Sequence, residues 1–113
     1  MITYWHNPRC SKSRAGLALL QERGAQVTVR RYLEDAPSEA ELRAVHALLK
    51  RPVAEMMRPG ETIFRELGLS LSDPENALFA AMTANPKLIE RPIGITNDAA
   101  VIGRPPEALL GLL

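Results

Sequence analysis

The chain has 113 residues, of which 46% are hydrophobic and 24% charged, with a formal net charge of +1. This length suits one small domain with its own core, and the composition excludes a disordered chain, which would be apolar-poor and strongly charged. A net charge this small gives no electrostatic support to a nucleic-acid partner, and no apolar run approaches the roughly 18–20 residues of a membrane-spanning helix. Met1-Ile-Thr-Tyr-Trp-His6 lacks the basic-then-apolar pattern of a secretory signal, so a cytoplasmic location is expected. No large apolar face stands out beyond the core pattern, so a monomer is expected.

The predicted elements begin with Ile2-Thr-Tyr-Trp5, a run of strand formers. Pro8 breaks the pattern. Ser11 to Arg23 reads as a helix with an apolar stripe of Ala15, Leu19 and Leu20 and a stop at Gly24. Val27-Thr-Val-Arg-Arg-Tyr32 alternates as a second strand, and the helix is long enough for a parallel crossover. In the middle, Ser38 and Glu41 form a capping box ahead of Leu42, Val45, Leu48 and Leu49. A short helix is predicted over Glu61 to Leu67, stopped by Gly68. Another starts at Asp73-Pro74-Glu75, with a cap residue and proline at the first helical position, and ends before Pro86. Ile93-Gly-Ile-Thr96 and Ala100-Val-Ile102 flank Asn97-Asp98 as a β-hairpin. Pro105-Pro-Glu107 opens a C-terminal helix. The expected fold is α/β: a thioredoxin-like β-α-β…β-β-α core with a helical insertion, at about residues 38–90, between the second and third strands. The whole is expected to form a single domain, residues 1–113.

Cys10 is the only cysteine. That excludes an internal disulfide and a zinc site built from this chain's thiolates, and no metal is expected. A lone cysteine is either a small buried hydrophobe or a reactive group. Position argues for reactivity. Cys10 lies between a strand and a helix, at the sheet edge where α/β ligand sites gather. The helix directs its free N–H groups and positive dipole end toward the sulfur, which lowers the thiol pKa and suits an oxyanion. Ser11 and Ser13 add hydroxyl donors, and Lys12 and Arg14 add charge where a first turn usually carries acids. His6, if protonated, stabilises the thiolate; the alternative is a strand-end histidine with an ordinary hydrogen bond. Cys10-Ser-Lys-Ser13 is a C-x-x-C frame with its second cysteine replaced, so an outside thiol must resolve any adduct at Cys10.

Arg58, Arg91 and Arg104 sit at loop edges, in Met56-Met-Arg-Pro-Gly60, Glu90-Arg-Pro-Ile93 and Gly103-Arg-Pro-Pro-Glu107. A guanidinium fork binds tetrahedral oxyanions. Each residue read alone is more often an ordinary surface arginine, and spacing does not make the three converge. By analogy with thioredoxin-like domains, the Arg91-Pro92 bond is expected to be cis and Pro92 to face the active cysteine.

His6-Asn-Pro-Arg-Cys10-Ser-Lys-Ser-Arg14 resembles the active-site loop of the glutaredoxin-coupled arsenate reductase family, H-N-P-x-C-x-x-S-R. Asn85-Pro-Lys-Leu-Ile-Glu-Arg-Pro-Ile93 and Gly103-Arg-Pro-Pro-Glu107 resemble two further segments of that family, and Tyr32-Leu-Glu34 and Phe64-Arg-Glu-Leu-Gly-Leu69 match too. The resemblance implies that Cys10 is the nucleophile, that His6 helps lower its pKa, and that Arg58, Arg91 and Arg104 hold the arsenic oxyanion. It implies electrons from glutathione as co-substrate, with glutaredoxin as partner, and no bound cofactor. Ser11-Lys12 stands where characterised arsenate reductases usually carry Gly-Thr, and Pro59-Gly60 after Arg58 also departs from their pattern. Two other readings stay open. One is a glutathione-dependent thiol reductase with another substrate. The other is a non-catalytic regulator like Spx, which binds RNA polymerase, although Ser13 argues against the disulfide switch of that protein.

Overall fold

Ile2–Trp5 forms strand β1, and the computed structural model describes residues 1–113 throughout. Helix α1 spans Ser11–Glu22. Gly24, at φ +73°, then turns the chain in a conformation that favours glycine. Strand β2, Val27–Arg30, runs parallel to β1, with Ile2 opposite Val27 and Trp5 opposite Arg30. The second strand ends two residues earlier than the alternation suggested. Pairing stops with β1 at Trp5, and residues 31–34 turn with Tyr32 fully buried. Strands β3, Ile93–Ile95, and β4, Ala100–Ile102, form the expected hairpin. β3 pairs antiparallel with β1, so the sheet order is β2-β1-β3-β4. With a helical segment between β2 and β3, this is a thioredoxin-like fold.

The chain divides into two compact units, Met1–Asp35 with Arg91–Leu113, and Ala36–Glu90. In the first, Ile2, Tyr4, Leu20 and Leu109 form a buried cluster. Removing such side chains from water stabilises by roughly 1.5–3 kcal/mol each. The buried face of α1 is Ser13, Gly16 and Leu20. Ala15, expected in the apolar stripe, is exposed. The reason is steric: a Cβ at Gly16 would lie 2.5 Å from the Tyr4 hydroxyl and 2.6 Å from Leu109 Cδ1, so only glycine lets α1 approach so closely. The C-terminal segment Pro106–Leu112 is a 3₁₀ helix packed against α1 and β4.

In the second unit, α2 spans Glu39–Leu49 and carries the expected capping box. The Glu41 N–H donates to Ser38 Oγ, and the Ser38 N–H donates to Glu41 Oε1. Leu42, Val45 and Leu49 are buried on the face of α2 that meets the last helix of this unit. Helix α3 covers Thr62–Glu66, and α4 covers Glu75–Ala84 with Leu78, Phe79 and Met82 buried. Pro74 is the cap of α4 rather than its first helical residue. The Asp73 carboxylate is engaged in the preceding loop, where it accepts from the Ser70 N–H at 2.9 Å. Lys50 ends α2 in the left-handed region at φ 55°. Lys50→Gly should therefore stabilise the protein by about 1 kcal/mol, read as a higher midpoint in urea unfolding with unchanged slope.

Candidate active site

Cys10 occupies the cap position ahead of α1, with φ −93° and ψ 122°. Its carbonyl accepts from the Arg14 N–H, and its own N–H donates to the Asn7 carbonyl, so the loop closes tightly around it. Cys10 is partly exposed. No side-chain hydrogen bond caps the helix when the sulfur is a thiol. Burial raises the thiol pKa, but the Ser13 N–H, the Arg91 charge and the Lys12 N–H outweigh it, and the net pKa is below the ordinary thiol value. The free N–H groups of the first turn thus serve the thiolate.

Arg91 and Arg104 converge on this sulfur. Arg104 Nη2 lies 3.8 Å from Cys10 Sγ, and Arg104 Nε donates to the Arg91 carbonyl at 2.8 Å. Arg91 contributes both charge and a side-chain hydrogen bond to Cys10. The Arg91–Pro92 peptide is cis, as is Arg104–Pro105. Pro92 is buried, 3.5 Å from where a Gly16 Cβ would sit. Arg58 belongs to the other unit, where its Nη1 pairs with Glu61 at 2.7 Å.

Ser13 differs from its expected role, and His6 takes the hydrogen-bonded alternative. Ser13 is fully buried, so its hydroxyl faces no solvent or substrate. Ser13 Oγ instead accepts from the Asn7 N–H at 3.0 Å and shares a 2.7 Å hydrogen bond with His6 Nδ1. The neutral imidazole of His6 is favoured over the charged one. Burial, then the charges of Arg31 and Arg14, hold its pKa below the ordinary histidine value. Both residues brace the loop from within, because a buried imidazole and hydroxyl satisfy each other. Arg14 Nη1 donates to the Pro8 carbonyl at 2.9 Å. Ser11 and Lys12 are exposed in the first turn and leave that end of α1 open.

Tyr4 is a site residue that the sequence reading missed. Its hydroxyl donates to the Ser13 carbonyl at 2.6 Å, and burial pushes its pKa up to about 12, so it stays protonated as a donor. Its place in β1, inward by alternation with Ile2, was the available signal.

The fold and the site define a thioredoxin-like protein with a single activated thiol at a helix N-terminus and two arginines beside it. The ArsC family model matches residues 5–112, and the chain belongs to that family. The chain is 43% identical to an arsenate reductase of Neisseria meningitidis serogroup A, over 99% of this chain and 97% of the other. It is 46% identical to the YfgD protein of Escherichia coli K12, over 99% of this chain and 96% of that one. The solved structure of an arsenate reductase from Vibrio cholerae matches with a TM-score of 0.94 at 46% identity, covering 99% of this chain and 97% of the other.

Proposed function

We propose that this protein is an oxidoreductase that reduces arsenate to arsenite, with Cys10 as nucleophile and electrons from glutathione, relayed by glutaredoxin. The observation that carries the reading is the convergence of the first-turn N–H groups, Arg91 and Arg104 on one partly exposed sulfur. Such an arrangement suits an oxyanion that meets a thiolate, because the donors offset the negative charge that accumulates as they approach.

In the proposed reaction the Cys10 thiolate forms a bond to arsenic. An arsenic-bound hydroxyl leaves and takes a proton to become water, and arsenic remains pentavalent. A glutathione thiolate then attacks Cys10 Sγ. The S–As bond breaks, its electron pair stays on arsenic, and trivalent arsenite departs. The two sulfurs have together lost two electrons and form a mixed disulfide between Cys10 and glutathione. A glutaredoxin thiolate attacks the glutathione sulfur and releases Cys10 as thiolate. The chain needs this outside thiol because Cys10 is its only cysteine.

The test is arsenate-dependent NADPH oxidation in the presence of glutathione, glutaredoxin and glutathione reductase. Wild type should turn over, and Cys10→Ser should fall to the rate without enzyme. Equal rates in the two proteins would overturn the role of Cys10. No turnover by wild type, with a thiol titrating below the free value of about 8.5, would overturn arsenate as substrate and favour a thiol reductase acting on something else.

A further inference from the structure

Tyr4 is a buried titratable group that the proposed reaction does not use, and its hydroxyl meets the helix that begins at the nucleophile. That hydroxyl donates to the Ser13 carbonyl at 2.6 Å, across the joint between β1 and the first turn of α1. A helical carbonyl already serves the N–H four residues on, and its second lone pair is open to a further donor. The approach is close, because a Cβ at Gly16 would lie 2.5 Å from the Tyr4 oxygen. The Tyr4 ring also leans on His6, with centroids 5.7 Å apart.

Ser13 is thereby held at each of its polar groups. Its Oγ shares a 2.7 Å hydrogen bond with His6 Nδ1 and accepts from the Asn7 N–H. Its carbonyl takes the Tyr4 hydroxyl. Its N–H serves Cys10: burial works against the thiolate, and that N–H is the strongest contact working for it. We propose that the Tyr4 hydroxyl is a positioning group for the nucleophile: it anchors the Ser13 carbonyl to β1 and so keeps the Ser13 N–H directed at Cys10 Sγ. The inference rests on Cys10 as the reacting group and names a residue that prepares it. The phenol remains a donor while Cys10 is charged. Burial pushes its pKa up to about 12, and a thiolate at Cys10 works in the same direction. Arg91, Arg104 and the Lys12 N–H also face the sulfur and remain when the hydroxyl is removed, so its loss has a partial effect.

Tyr4→Phe keeps the ring and removes only the anchor. The midpoint of iodoacetamide alkylation against pH should move up by about half to one pH unit. Ile2→Val trims the same buried cluster and leaves the hydroxyl in place. It should lower the melting temperature while its alkylation midpoint stays at that of wild type. An unmoved midpoint in Tyr4→Phe, or an equal rise in Ile2→Val, would overturn the proposal. A second measurement uses wild type alone. The Tyr4 Cζ resonance of ¹³C-tyrosine-labelled protein should shift with the midpoint of the Cys10 titration, and a resonance flat through that range would overturn the proposal too. Alkylation needs no arsenate, so the two readings fail separately. A raised midpoint without arsenate turnover would reject the arsenate reading and leave Tyr4 its role. Arsenate turnover with an unmoved midpoint would do the reverse.

Discussion

Arg91→Ala should lower kcat/KM for arsenate by about 10²–10³-fold, while the protein remains folded. Arg91 acts on the thiol through its charge and a side-chain hydrogen bond, and in the proposed reaction its guanidinium fork would hold the oxyanion there. Its backbone carbonyl, which accepts from Arg104 Nε, survives the substitution, so Arg104 keeps that anchor. The pH dependence has a definite sign. The thiolate is the nucleophile, so Cys10 reactivity falls as pH drops below the thiol pKa. In wild type that pKa is held below the ordinary value against the opposing effect of burial. Without Arg91 its charge and its side-chain hydrogen bond are lost while the first-turn N–H groups and Arg104 remain, so the profile of iodoacetamide alkylation against pH should move upward. Arg91→Lys separates the two roles: the charge is retained and the fork is lost. Its alkylation profile should stay near that of wild type, while arsenate kcat/KM stays low. An Arg91→Ala protein with wild-type kinetics and an unmoved profile would remove Arg91 from the site.

Gly16→Val should destabilise the protein by about 3 kcal/mol and lower the melting temperature by roughly 10–20 °C. Tyr4 cannot retreat from the new side chain, because it is fully buried and its hydroxyl is tied to the Ser13 carbonyl. Leu109 is equally buried. Displacing the tyrosine would leave its hydroxyl without its partner, which costs about 1–3 kcal/mol in a buried setting. Replacing glycine within a helix ordinarily gains a few tenths of a kcal/mol to about 1 kcal/mol, too little to offset the clash. Gly111→Ala is the control. Nothing lies within 4 Å of a Cβ there, so its stability should change by less than about 0.5 kcal/mol. Differential scanning calorimetry of the two variants beside wild type would decide the matter. Equal melting temperatures would mean that α1 can shift away from β1 at little cost.

Much of the fold was legible in the residues. β1, α1, the hairpin and the capping box of α2 obey rules that act within a few positions: strand formers in a run, helical spacing, a serine three residues before a glutamate. The placement of Cys10 at the start of a helix followed from the same local reading. The misreadings have one cause. Which face of α1 turns inward was set by Tyr4 and Leu109, which demand the smallest residue at the crossing, so Gly16 went in and Ala15 stayed out. Ser13 was read as a hydroxyl donor at the loop, and His6 as either a charged neighbour of the thiolate or a strand-end histidine with an ordinary hydrogen bond; the two hydrogen-bond each other.

The sequence by itself determined that the chain carries one thiol, that a helix begins beside it, and that any disulfide must involve another molecule. Only the tertiary structure decided which charges act on that thiol. Arg104 lies 94 residues from Cys10 along the chain and 3.8 Å from it in space. Local propensities carry no information over such a separation. The antiparallel pairing of β3 with β1 brings the segment that starts at Arg91 back beside the loop of Cys10, and the buried contacts of the sheet and of Leu109 hold it there.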